Sequence, residues 1–196
     1  MVIMLSLMKE IYDECKIAAK DREFNQTKYN ILTPKGEKEV YSGQLKVGDI
    51  VRLSKDRRVP ADCVLLWTSD ESGSCFLKTD QLDGETDWKC REPVNFTQDV
   101  MSKEEMAVFN YKVSLECSEP SNFIYEFNGI FFHDETEINF ESLRLKNTLW
   151  SNTVVASGEC WGLIVYTGKE TRSQMGIKNP ETKFGRIDHE INFLSK

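Results

Sequence analysis

The sequence predicts a mainly β domain with one flanking helix: a barrel, sandwich or jelly-roll of roughly eight to ten short strands. Three observations carry this. The opening segment repeats apolar residues at helical spacing, whereas everything beyond Phe24 breaks into short apolar runs separated by turn residues. The composition, 40% hydrophobic and 29% charged with no homopolymeric or Pro-rich tract, suits a packed domain rather than a disordered or fibrous chain. At 196 residues the chain can bury a core without staples.

Met4, Met8, Ile11, Cys15 and Ala18 recur at three- and four-residue steps with charges between them, which predicts an amphipathic helix over 3–23. The run Met1 to Met8, interrupted only by Ser6, is far shorter than the roughly 20 residues a membrane span needs. It reads either as the first turns of a core helix or as the cytosolic end of a membrane helix, and periodicity alone favours the core helix. Strand-length runs with β-branched or aromatic content follow near 29–32, 50–53, 63–67 and 75–78. Between them lie turn signals at Thr33-Pro34-Lys35-Gly36, Val47-Gly48-Asp49, the loop Ser54 to Pro60, Glu71-Ser72-Gly73 and Asp83-Gly84.

Ser102 and Glu105 form a capping-box pattern that predicts a short helix through Phe109. Tyr111 to Cys117 alternates as a strand, and Asn128-Gly129 before Ile130-Phe131-Phe132 is the strongest short hairpin signal in the chain. Val154-Val155-Ala156, a turn at Ser157-Gly158 and Trp161 to Tyr166 predict a further hairpin, closed by Thr167-Gly168. From Lys178 the chain reads as an exit linker.

The balance of 25 basic against 32 acidic residues gives a formal charge of −7, the wrong sign for a protein that binds nucleic acid by neutralising phosphates. Six cysteines at irregular spacings, without a C-x-x-C pair, read as free thiols in a reducing compartment rather than as a zinc or redox site. There is no Walker A loop, G-x-G-x-x-G, H-E-x-x-H or G-x-S-x-G motif. His133 and His189 read as structural or surface residues.

The densest candidate site is Thr79-Asp80-Gln81-Leu82-Asp83-Gly84-Glu85-Thr86-Asp87, which carries four carboxylates between two strand candidates. An EF-hand register with Gly84 at the sixth position fails, since Thr79 and Cys90 stand where Asp and Glu are needed. Two readings stay open: a solvated Asp-Gly turn, or a protruding loop. In the second, Gly84 lets the backbone approach another surface and Glu85 presents one carboxylate suited to orienting water.

LKVGDIVRLSKDRRVPADCVLL (45–66), DGET (83–86), LKNTLW (145–150) and VYTGKETR (165–172), in this order, resemble the actuator domain of P-type ATPases. DGET, where cation pumps usually have TGES, is the form found in type IV members, the phospholipid flippases. The fuller TDQLDGETDWK is similar to the endomembrane branch thought to act without an accessory subunit. The resemblance implies a distorted jelly-roll, or double-stranded β-helix, over 25–177. It also implies a helical stalk leading from a membrane helix over 1–24, and a linker toward the next membrane helix over 178–196. The DKTGT phosphorylation motif is absent, so the chain looks like one domain of a larger enzyme. The implied partners are the phosphorylation and nucleotide-binding domains and membrane helices of that enzyme, with the phospholipid bound elsewhere. The domain itself would hold no cofactor, whereas the parent would use ATP and Mg2+, on the cytosolic face of Golgi or endosomal membranes.

In the implied cycle the actuator brings its loop to an aspartyl phosphate in another domain. Glu85 would orient and deprotonate the attacking water, Gly84 would keep the loop thin, and Asp83 and Thr86 would fix its shape. A carboxylate approaching a phosphate needs a local cation to offset repulsion. If 87–91 is a strand, Lys89 and Arg91 share one face and are candidates to contact the partner domain, with Trp88 and Cys90 pointing to the core. Arg57 and Arg58 are a second candidate contact. The competing readings are a non-enzymatic jelly-roll that binds a protein or carbohydrate, with the acidic loop as a calcium or partner site, and the actuator of a cation-transporting ATPase. No chemistry attaches to the stretch between Arg91 and Leu145.

Overall fold

A 24-residue helix, α1 (Val2–Asn25), opens the chain in the computed structural model, which describes residues 2–133 and 139–177. Met4, Met8, Ile11 and Cys15 on its apolar stripe are exposed, so the reading of a core helix is corrected. The helix meets the body at its C-terminal end, where the Arg58 guanidinium lies 5.5 Å from the Phe24 ring centre. No helix among the described residues is long and apolar enough to cross a membrane.

The mainly β class holds: the body is built from three antiparallel sheets. The largest contains β1 (Lys28–Thr33), β2 (Gly36–Tyr41), β3 (Ile50–Ser54), β4 (Asp62–Thr68), β10 (Thr148–Leu149) and β12 (Glu159–Tyr166), in the order β10-β4-β12-β3-β1-β2. A second sheet joins β5 (Cys75–Lys78), β6 (Trp88–Arg91) and β11 (Val154–Val155), ordered β11-β5-β6. The third joins β7 (Val113–Cys117), β8 (Gly129–His133) and β9 (Phe140–Leu143). Two short helices, α2 (Asn95–Met101) and α3 (Arg172–Met175), complete the described elements together with single 3-10 turns.

The run Cys63-Val64-Leu65-Leu66 explains the layering. Every one of these side chains is buried, because β4 is covered on both faces. Cys63 and Leu65 join Leu53, Cys75, Leu77 and Val155 between the large sheet and the second sheet. Val64 and Leu66 face the other way, onto Met101, Val108, Phe131, Leu143 and Trp161 under α2 and the third sheet. A strand buried on both faces must be continuously apolar, and burying each such side chain is worth roughly 1.5–3 kcal/mol.

Four local expectations are corrected. The helix expected over 102–109 is a 3-10 turn over Glu105–Asn110, preceded by α2, and Ser102 accepts a hydrogen bond from Trp67 Nε1 (3.1 Å) instead of capping. β7 and β8 do pair, but Asn128-Gly129 is not the turn: Gly129 sits inside β8 opposite Cys117. A Cβ at Gly129 would come 3.0 Å from the Glu116 carbonyl oxygen, so the glycine serves a close backbone approach rather than a turn. Val154-Val155 and Trp161 to Tyr166 do not form a hairpin, since β11 pairs with β5 and β12 with β3 and β4. The described residues form twelve strands rather than eight to ten, β10 and β11 being only two residues long. The exit linker and His189 lie outside the described residues.

Candidate functional site

Strands β5 and β6 form an antiparallel pair whose last rung is Lys78 opposite Trp88, so residues 79–87 project as the loop that closes it. The base of the loop is fixed from inside. Thr79 is buried, its carbonyl accepts from the Leu82 and Asp83 amides (2.8 and 3.0 Å), and its hydroxyl donates to Asp83 Oδ2 (3.1 Å). The other oxygen of Asp83 accepts from the Glu85 amide at 2.9 Å, an Asx turn that sets the direction of the tip.

Gly84, between these residues, has φ +76, a left-handed backbone that side chains disfavour. A Cβ there would meet nothing within 4 Å, so conformation rather than crowding explains the glycine within this chain. Gly84→Ala should therefore fold and cost about 1–2 kcal/mol. A drop of roughly 2–8 °C in melting temperature checks this, and a larger loss would show a contact at the tip.

Glu85 stands exposed at the tip and accepts a hydrogen bond from the Lys89 ammonium. That hydrogen bond, assisted by the charges of Glu85, Asp83 and Asp87, holds the Lys89 amine above its ordinary value against the opposing effect of desolvation. Partial desolvation together with the Glu85 and Asp83 charges pushes the Tyr125 phenol above its ordinary value, against the pull of the Lys89 charge. Thr86 and Asp87 are exposed. Among the described residues no group of three or more His, Cys, Asp or Glu is gathered as a metal site, so nothing favours the calcium-binding reading of the acidic loop.

The facing of β6 is a correction. Trp88 is 59% exposed and Cys90 is exposed, whereas Lys89 and Arg91 lie opposite the buried Leu77 and Cys75. Lysine and arginine tolerate this side because their stems cover apolar surface while their charged ends escape. Lys89 escapes toward Glu85, and Arg91 Nε donates to the Thr148 carbonyl at 2.9 Å. Both candidate domain contacts are thus engaged within the chain.

Arg58 bridges to Val154, which pairs with Lys78, which pairs with Trp88. Arg57, Arg58 and the acidic loop therefore share one end of the second sheet. Arg57 Nη2 donates to the Lys28 carbonyl (3.3 Å) and its guanidinium lies 5.6 Å from the Tyr29 ring centre. His133 stacks on Phe96 with ring centres 4.1 Å apart, as a structural histidine.

The sequence reading missed two features. One is a buried ion pair joining motifs far apart in the chain: Arg172 Nη1 lies 3.5 Å from Asp62 Oδ2, both side chains fully buried. Asp62 also accepts from the backbone amides of Ser151 and Arg172, each at 2.8 Å. The guanidinium packs 3.9 Å from the Trp150 ring centre and donates to the Phe123 and Glu126 carbonyls (3.2 and 3.3 Å). The other is Tyr125, in the stretch to which no chemistry is attached, whose phenol feels the Glu85 and Asp83 charges.

An exposed acidic tip thus closes a two-stranded support, on a β body whose VPAD and GKETR segments meet in the buried Asp62–Arg172 pair. The chain belongs to the P-type ATPase actuator domain family, whose model matches residues 23–178. It is 45% identical over its whole length to the probable phospholipid-transporting ATPase tat-5 of Caenorhabditis elegans, covering 18% of that protein. It is 41% identical to the probable phospholipid-transporting ATPase IIB of Bos taurus and 39% identical to the phospholipid-transporting ATPase NEO1 of Saccharomyces cerevisiae. In both cases all of the chain aligns, to 17% and 16% of the relative. The chain thus spans about a sixth of the length of these relatives.

Proposed function

We propose that this chain is the actuator of an ATP-dependent phospholipid translocase, and that its loop Asp83-Gly84-Glu85-Thr86 promotes hydrolysis of an aspartyl-phosphate intermediate. The observation that carries the reading is Glu85, exposed on a tip whose backbone is set by Thr79, Asp83 and a left-handed Gly84. The relatives' names supply the reaction class and the lipid substrate.

Glu85 accepts a proton from water attacking the phosphate, and Asp83 and Thr86 shape the loop around it. A carboxylate has about four lone-pair sites, so Lys89 leaves room for the water. The Lys89 charge beside Glu85 offsets part of the repulsion between the acidic tip and the phosphate. ATP and Mg2+ act in the phosphorylation and nucleotide-binding domains, and the phospholipid sits among membrane helices. Residues 1–24 serve as a stalk from one membrane helix and 178–196 as the linker to the next, on the cytosolic face of Golgi or endosomal membranes. Arg57 and Arg58 contact the partner domain, a reading supported by their position at the loop's end of the sheet.

Reconstitution of the full-length protein tests the substrate class. ATP-dependent movement of a labelled phospholipid between vesicle leaflets is expected, and it should stop in Glu85→Gln. ATP-driven cation transport without lipid movement would replace this reading by the cation pump. The chain alone is expected not to bind ATP, and micromolar binding by calorimetry would contradict that division of labour.

A further inference from the structure

We propose that the outer face of the second sheet, along the row Arg58, Val154, Lys78 and Trp88, is the surface on which the domain carrying the aspartyl phosphate docks, presenting acidic side chains and a seat for the indole. This rests on the reading of Glu85 given above and adds the surface that brings the loop to its target. The row follows from the strand register. Lys78 stands opposite Trp88 across β5 and β6, and Val154 opposite Lys78 across β11 and β5. Arg58 stands opposite Val154 in an isolated antiparallel bridge, where the Val155 amide donates to the Arg57 carbonyl (3.0 Å) and the Val59 amide to the Thr153 carbonyl (2.8 Å). Directly opposed residues share a face, so the four side chains form one line, about 14 Å long at the ordinary strand spacing. Val59, Leu77 and Val155, the next residue along each segment or the one before it, are buried in the core, which leaves the row on the outside.

Charge, aromatic exposure and position together say what covers this row. Arg58 is exposed and Lys78 partly so, and among the described residues neither has an ion pair: the Arg58 guanidinium lies 5.5 Å from the Phe24 ring centre and Lys78 Nζ 5.9 Å from that of Trp88. Two cations without a carboxylate, in one line beside a loop that carries four, run against the chain's net charge of −7. They complement an anionic partner, and a domain bearing a phosphoryl group is one. Trp88 is 59% exposed although Phe76 (6.3 Å between ring centres) and Lys78 lie against it, so more than half of its surface is free for a partner. Tryptophan is enriched among the residues that carry most of an interface's binding energy. Residues 79–87 close the Lys78–Trp88 rung directly, so a surface that receives the tip lies against this end of the sheet. The chain covers 18% of the tat-5 relative, and the remainder of such a protein supplies the occupant.

The test is decay of the phosphorylated full-length protein after a chase, in wild type, Trp88→Ala, Lys78→Glu and Glu85→Gln. Lys35→Glu, in the exposed turn at the far end of the β1–β2 hairpin, controls for the change of charge. Trp88→Ala should slow decay about thirtyfold, the scale of an interface hot spot. Lys78→Glu sets a like charge against the acidic partner and should slow it about tenfold. Formation of the phosphoenzyme and the melting temperature should stay near normal in both, and Lys35→Glu should decay as wild type does. Raising salt from about 0.1 M to 0.5 M shortens the reach of a charge, so it should narrow the deficit of Lys78→Glu and leave that of Trp88→Ala. Normal decay in Lys78→Glu and Trp88→Ala beside slow decay in Glu85→Gln would overturn the docking surface alone. A Lys78→Glu deficit that salt does not change, that Lys35→Glu shares, or that comes with a lowered melting temperature would overturn it too, as an effect not due to a charge on this face. Normal decay in Glu85→Gln would instead remove the reading of the loop on which the docking depends.

Discussion

Glu85→Gln should leave the full-length protein able to form its phosphoenzyme and should slow the decay of that intermediate by about 10²- to 10⁴-fold, roughly 3–5 kcal/mol of barrier. The glutamine keeps the shape of the side chain and its carbonyl can still accept from Lys89, but it cannot take a proton from water. The bonds that shape the loop do not use this side chain: they run from the Leu82 and Asp83 amides to Thr79, and from the Glu85 amide to Asp83. What is lost structurally is an exposed ion pair with Lys89, worth at most about 1 kcal/mol. Stability and catalysis should thus separate, with a nearly normal melting temperature beside a trapped intermediate. Lipid transport should stop with it, since the cycle cannot proceed past the phosphoenzyme.

Arg172→Ala should have the opposite signature, a large loss of stability. It leaves Asp62 buried without its cation, strips the Phe123 and Glu126 carbonyls of their donor, and opens a void beside Trp150. Breaking one partner of a buried pair costs about 3–5 kcal/mol, and in a domain of this size that lowers the melting temperature by roughly 6–20 °C. Replacing both charges, as in Asp62→Asn with Arg172→Met, should cost less than the single change, because no lone charge remains. The pH dependence has a definite sign. Burial pushes the Asp62 carboxyl above its ordinary value, while the two amides and the guanidinium pull it back. A raised folded pKa means the folded state holds its proton longer, so this group's contribution weakens as pH rises from the ordinary carboxylate value through the folded one. Removing Arg172 removes one of the opposing pulls and widens that window. The destabilisation of Arg172→Ala should therefore be larger at pH 7 than at pH 5, as denaturant melts at the two values would measure.

Strands β1, β3, β4 and β5 were legible because each is a short run with a strong local pattern, Cys63-Val64-Leu65-Leu66 most of all. β2 was not: Gly36-Glu37-Lys38-Glu39-Val40-Tyr41 is an edge strand, mostly exposed, whose ion pairs Lys28–Glu39 and Arg52–Glu37 depend on neighbours that sequence order does not reveal. β12 was recognisable as a strand, but its place between β3 and β4 is a matter of long-range pairing, and a local hairpin was the natural misreading. The facing of β6 failed for a physical reason: alternation locates two faces, but apolarity wrongly assigned Trp88 to the inner one. The acidic tip could be read from Asp83-Gly84 and the motifs around it. The buried ion pair could not, since Arg172 and Asp62 are 110 positions apart.

The most direct test of the central claim is a pulse-chase of the phosphorylated full-length protein. The intermediate is formed from labelled ATP, the label is chased, and its decay is followed in wild type and Glu85→Gln with thermal melting of both proteins alongside. Decay slower by about 10²-fold or more at an unchanged melting temperature is the predicted result. Equal decay rates in two equally folded proteins would contradict it and return the loop of residues 79–87 to a solvated Asp-Gly turn.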